Sequence, residues 1–161
     1  SNHFTTEGIK HLDELMDLEK RAVSSPALRD RSNPKEISKL LGTWEYVSAT
    51  YNGKPMDVRG NETVTLTKGN WTLRRNGNSI LTSTWELDST RSPKWLTQFT
   101  EGGKVNFLDN WVYKFDEERL VLCKSAWMEG PRPKEFASRK GDKRYMIVLR
   151  RKTPPEKQND Q

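Results

Sequence analysis

From Gly42 to Leu149 the larger side chains return at every second position. Trp44, Tyr46, Ser48 and Thr50 share one face of a run, and so do Trp71 with Leu73. Leu81, Ser83, Trp85 and Leu87 follow, then Trp95, Thr97 and Phe99, then Trp111, Tyr113 and Phe115. A period of two marks a strand with one face against a core. Turn residues break the runs at Asn52-Gly53, Lys68-Gly69-Asn70, Asn76-Gly77, Gly102-Gly103 and Asp116-Glu117-Glu118. Asn-Gly in particular signals a two-residue hairpin turn. Leu120–Cys123 and Tyr145–Leu149 complete the set, so the chain predicts about eight short strands at hairpin spacing. No helical pattern falls between them. Parallel strands need crossover connections, so the sheet is expected to be antiparallel and up-and-down. Eight strands must also hide two edges, and closure into a barrel does so. A two-sheet sandwich is the alternative.

Two helical patterns precede the strands. Over 5–23, Ile9, Leu12, Leu15 or Met16, and Val23 recur at roughly helical spacing, with Thr5 or Thr6 as cap and Asp13, Glu14, Asp17 and Glu19 on the other face. Such a stripe either covers its own domain or docks a protein partner. Residues 24–33 are polar and broken by Pro26, as a linker is. Asn33-Pro34-Lys35-Glu36 then reads as a helix start, with Asn33 capping, Pro34 in the first turn and Glu36 reaching back to the cap; Gly42 stops it. The expected organisation is an N-terminal helix and linker (1–33), a barrel domain (34–152) and a disordered polar tail (153–161).

Composition sharpens this picture. Apolar residues make up only 32% of the 161, and charged residues 31%. Six Trp and four Tyr compensate, since each large ring buries about 150–250 Å². All ten lie between Trp44 and Tyr145, which locates the core. The single cysteine, Cys123, excludes a disulfide framework, and no run is apolar enough for a transmembrane helix. The net charge is +6, and residues 132–152 hold nine basic groups against two acidic ones. A solvated basic edge accounts for this, although such a patch also attracts anions. The chain reads as soluble, either cytoplasmic or exported after removal of a signal peptide.

Leu41-Gly42-Thr43-Trp44 resembles the Gly-x-Trp start of lipocalin-like barrels. In that family the Trp plugs the closed end and a basic residue of the last strand packs over it; Arg150 or Arg151 stands at the matching place. More narrowly, residues 40–152 resemble a small lipocalin-like domain of unknown function repeated in planctomycete bacteria. The likeness rests on Leu41-Gly42-Thr43-Trp44, Asn52-Gly53-Lys54-Pro55, Leu87-Asp88 with Ser92-Pro93-Lys94, Leu120-Val121-Leu122-Cys123, and Arg132-Pro133-Lys134-Glu135-Phe136. It implies a barrel and no established activity. Binding of a small apolar ligand is an analogy from fold to function.

Catalytic motifs are missing from the sequence. It contains no phosphate loop, dinucleotide fingerprint or nucleophile elbow. The two histidines, His3 and His11, precede the strands, so neither a metal site nor a cofactor is expected and the chain reads as a non-enzyme. Cys123 reads as a small apolar strand residue, because no barrel histidine could activate it. The candidate site is therefore a ligand pocket in the barrel interior and its mouth, formed by Trp44, Tyr46, Trp71, Trp85, Trp95, Trp111, Tyr113 and Phe136, with Ser48, Thr50 and Thr97 as its polar end. Phe136 belongs to a long loop, 128–144, which either folds under as cover or gates the mouth. A barrel of eight strands is just wide enough to be filled by side chains or to hold one small ligand. The filled alternative would be a protein-interaction or structural module. Nucleic acid is disfavoured, because the Trp residues fall on strands rather than in loops.

Overall fold

The computed structural model describes residues 33–152 except 59, 103–104 and 128. The 5–23 pattern, the two histidines and the 153–161 tail lie outside the described residues. One helix, α1 (Pro34–Leu40), leads into nine strands: β1 (Gly42–Tyr51), β2 (Lys54–Met56), β3 (Glu62–Thr67), β4 (Asn70–Arg75), β5 (Asn78–Asp88), β6 (Lys94–Gly102), β7 (Val105–Asp116), β8 (Arg119–Ser125) and β9 (Arg144–Arg151). All pairings are antiparallel between chain neighbours, except that β1 also pairs with β3 and β9. The β1–β9 pairing closes eight strands into a barrel and excludes the sandwich. The three-residue β2, which the pattern did not announce, hangs from the far half of β1, opposite Ala49–Tyr51.

Turn chemistry sets the register. Asn52-Gly53 and Asn76-Gly77 all have positive φ, as the two central residues of a type I′ hairpin require. A bulge lies in β1 between Tyr46 and Ser48. It shifts the alternation by one residue, so Ala49 is buried and Ser48 is exposed. The expected polar end formed by Ser48 and Thr50 is thus displaced from the interior face.

One end of the barrel, the base, is covered by α1. Asn33 caps the helix, its Oδ1 accepting from Lys35 N at 3.0 Å. Glu36 does not reach back to this cap. It turns into the base, where its Oε1 accepts from Lys94 Nζ at 2.7 Å and from Tyr113 OH at 3.1 Å. Leu40 is fully buried, and its carbonyl accepts from Trp44 Nε1 at 2.8 Å. Above them Leu66, Leu87, Leu96, Leu120 and Leu149 fill the cross-section.

The long connection after β8 lies along the outer wall of β6–β8. Arg132 anchors it, donating to the carbonyls of Leu96 and Trp111, to Thr97 Oγ1 and to Asn110 Oδ1. Beneath this strap Val112, Val121 and Cys123 are buried although they point away from the barrel core. The segment therefore adds a local second layer, which explains why β8 reads as apolar on both faces.

Candidate functional site

At the end away from α1, the mouth, the interior changes character. Leu81 continues the inward face of Ser83, Trp85 and Leu87, yet it is 38% exposed, so the rim is open to solvent here, while Trp71, Trp111, Ser83, Gln98 and Thr100 below it are buried. Trp71 and Trp111 cross the lumen as a stacked pair, with centroids 5.8 Å apart and planes at 22°. Tyr145 tilts against Trp111 at 6.1 Å. Lys124 Nζ sits 5.2 Å from the Trp111 ring and 2.8 Å from Asp109 Oδ1. On the other side Glu62 follows the inward parity of Val64 and Leu66, and its Oε1 accepts from Arg75 at 2.7–2.8 Å.

Below the rings runs a polar chain. Trp111 Nε1 donates to Gln98 Oε1 at 2.9 Å, Gln98 Nε2 donates to Ser83 Oγ at 3.1 Å, and Ser83 Oγ lies 2.6 Å from Thr100 Oγ1. Three of these side chains are buried polar groups, and each has a partner, as low-dielectric surroundings demand. Burial raises the Tyr46 hydroxyl well above its ordinary range, helped by Tyr145 and Glu62 nearby. Burial, again with Glu62, raises Tyr145. Both phenols therefore stay protonated at neutral pH and can donate hydrogen bonds.

The eight side chains expected to line the pocket fall into three groups. Tyr46, Trp71 and Trp111 face the lumen. Trp44, Trp85 and Tyr113 belong to the base: Trp44 donates to Leu40, Trp85 Nε1 bonds the carbonyls of Thr67 and Asn70, and Tyr113 holds Glu36. Trp95 and Phe136 are outside. In β6 the buried face is Leu96, Gln98 and Thr100, so Trp95 and Thr97 point outward, where Trp95 is sandwiched between Arg91 and Arg132 at 4.3 and 4.4 Å. Phe136 lies under Lys114 on the outer wall, away from the mouth. The more apolar face of β6 is thus its outer face, opposite to the expectation from the alternation.

The mouth residues that pattern reading missed are Glu62, Arg75, Gln98, Thr100, Asp109, Lys124 and Tyr145. Their signal was parity alone: Lys124 follows Leu120 and Leu122, and Asp109 precedes Trp111, each by steps of two. Charge or polarity concealed all of them but Tyr145.

Cys123 is buried beneath the strap, with Sγ 3.5 Å from the Ala137 carbonyl, and burial pushes its thiol up. Arg132 is lowered to about 10 by burial and remains cationic at neutral pH. Among the described residues no helix is long and apolar enough to cross a membrane. No family model, curated protein or solved structure matches the chain.

Proposed function

We propose that this chain is a lipocalin-like binding protein that takes a small amphipathic ligand through the mouth of its barrel, without chemistry. The observation that carries this reading is the Lys124–Asp109 pair on the inward face, set against the Trp71–Trp111 stack. Two charges placed in a partly dehydrated barrel cost more desolvation free energy than an apolar filling would. They are useful there if a ligand's polar group meets them while its apolar part lies on the indoles. The phenols of Tyr46 and Tyr145 supply further donors. Likeness to the lipocalin-like family is supported at the base, where Arg151 lies over the Trp44 ring at 4.4 Å. A filled barrel acting as an interaction module is favoured by the interlocking of Trp71, Trp111 and Tyr145. Native mass spectrometry of protein taken from cells separates the two. A bound mass of a few hundred daltons that leaves on organic extraction is expected. Bare protein, together with Trp fluorescence indifferent to fatty acids, retinoids and aromatic carboxylates, would establish the filled module instead.

A further inference from the structure

The five exposed large hydrophobic side chains of the described residues all stand at the mouth. They are Tyr51 at the end of β1, Met56 on β2, Ile80 and Leu81 at the start of β5, and Trp127 just after β8. The base has none. Scattered exposed apolar residues need no explanation, but confinement to one rim does. Three of them follow the inward alternation: Leu81 with Ser83, Tyr51 with Ala49, and Met56 paired to Ala49. They form a lip around an opening rather than a flat patch.

Basic side chains gather on one side of this lip, whereas the exposed acids Asp57, Glu101 and Glu129 stand elsewhere on the same end. The β1–β2 hairpin tip is tied to the returning strap, with Asn52 Oδ1 accepting from Gly141 N and Lys143 N and with Gly53 N donating to Ser138 Oγ. The tip and residues 135–144 bring together Lys54, Arg139, Lys140, Lys143 and Arg144 against Glu135 and Asp142. Glu135 is already bound by Arg139 and Arg144. Lys143 Nζ lies 5.1 Å from the ring of Trp127, itself 61% exposed. An exposed indole with a lysine over its ring suits a boundary that is apolar within and anionic at its surface.

We propose that the mouth docks on a phospholipid bilayer bearing anionic headgroups, with Trp127, Ile80 and Leu81 entering the interface and Lys54, Lys140 and Lys143 meeting the phosphates. A protein partner would account for the apolar lip but not for its union with a basic quarter around an opening.

Sedimentation of the full chain with vesicles of phosphatidylcholine, with and without phosphatidylglycerol, tests this. Binding is expected to the anionic vesicles at low salt, weakening as salt rises. Brominated lipid should quench Trp127, because Trp44, Trp71, Trp85 and Trp111 are buried and Trp95 lies against Arg91 and Arg132 on the outer wall. Ile80→Ser with Trp127→Ser should weaken partitioning about tenfold or more. Lys140→Gln with Lys143→Gln, which leaves the barrel core alone and removes only the Lys143 contact with Trp127, should cost about fivefold per lysine. An unchanged far-UV circular dichroism spectrum and a cooperative thermal melt confirm that each variant is folded. Failure of the wild type to bind either vesicle, or binding that both rim variants leave intact, overturns the proposal. So does loss of binding only in Leu12→Ser with Leu15→Ser, which would transfer the contact to the N-terminal segment. Capture of a protein by the lip without vesicle binding would also overturn it.

Discussion

The guanidinium of Arg151 lies over Trp44, 4.4 Å from its ring, and donates to the carbonyls of Leu41 and Lys39 at 2.6 and 2.7 Å. It thereby ties the last strand, the first strand and the C-terminus of α1 into one seal. Gly42 makes this possible. Its φ is +127°, and a Cβ there would stand 2.5 Å from Arg151 Nη1. The Gly-x-Trp spacing thus has a mechanical meaning: glycine clears the guanidinium's approach, and the indole is the surface on which it rests.

Gly42→Ala should therefore lower unfolding stability by about 2–3 kcal/mol, from backbone strain and displacement of Arg151. In an Arg151→Ala background the same change should cost less, since only the strain remains. Urea titrations of the four proteins measure the coupling. Additive costs would show that glycine and arginine do not interact.

Arg132 plays the matching role on the outer wall. Its hydrogen bonds to β6 and β7 and its stack on Trp95 hold the strap over Cys123. Arg132→Ala should destabilise the protein by about 2 kcal/mol or more. It should also speed labelling of Cys123 by a thiol reagent in the native state, because the cover is released. Lysine at this position should not rescue the variant, since a point charge cannot span the two strands or stack in the same way.

The fold was legible because its turns are chemical. Asn52-Gly53 and Asn76-Gly77 determine hairpin geometry whatever packs nearby, and Gly42-Thr43-Trp44 marks the entry to the barrel. Which face points inward was legible only where both cues agreed. On β4, β5 and β7 the rings lie on the inner face, and parity places them correctly. On β6 the bulky face, Trp95 to Phe99, is outside, where Trp95 has become a platform for two arginines. On β1 a one-residue bulge reverses the alternation after Tyr46, and nothing in Val47-Ser48 announces it. The mouth was hidden for the same reason. Most of its overlooked side chains are charged or polar, and a rule that places apolar residues inside passes over polar groups that pair with one another in the lumen.

Glu36 gives the base a pH dependence of definite sign. Burial works to raise its pKa, but the hydrogen bond and charge of Lys94, the Tyr113 hydroxyl and Lys39 outweigh it, so the folded-state value lies below the ordinary 4.5. The stability it confers is fully present above 4.5, and it is lost as pH falls through the lower folded value. Asp88 and Glu135, also lowered by their partners, contribute in the same direction. Glu36→Gln should therefore destabilise the protein at pH 7 and flatten the acid limb of its stability curve without abolishing it. Thermal melts between pH 2 and 7, about the span over which paired carboxylates titrate, supply the comparison. A parallel vertical shift of the whole curve would mean that Glu36 acts through packing alone.

The interior pair at the mouth allows stability and binding to be separated. Lys124→Met leaves Asp109 charged in the lumen without its partner at 2.8 Å, and about 1–3 kcal/mol should be lost. Replacing both, with Lys124→Met and Asp109→Leu, removes the orphaned charge. Such exchanges of a buried pair for apolar side chains are often neutral or stabilising by about 1–4 kcal/mol. The double variant should then melt at or above the wild type. If the pair exists to meet a ligand, that same robust protein should come from cells without the extractable mass carried by the wild type. Retention of the mass by the double variant would show that Lys124 and Asp109 do not hold the ligand. A double variant less stable than Lys124→Met would show that the pair serves the barrel rather than its contents.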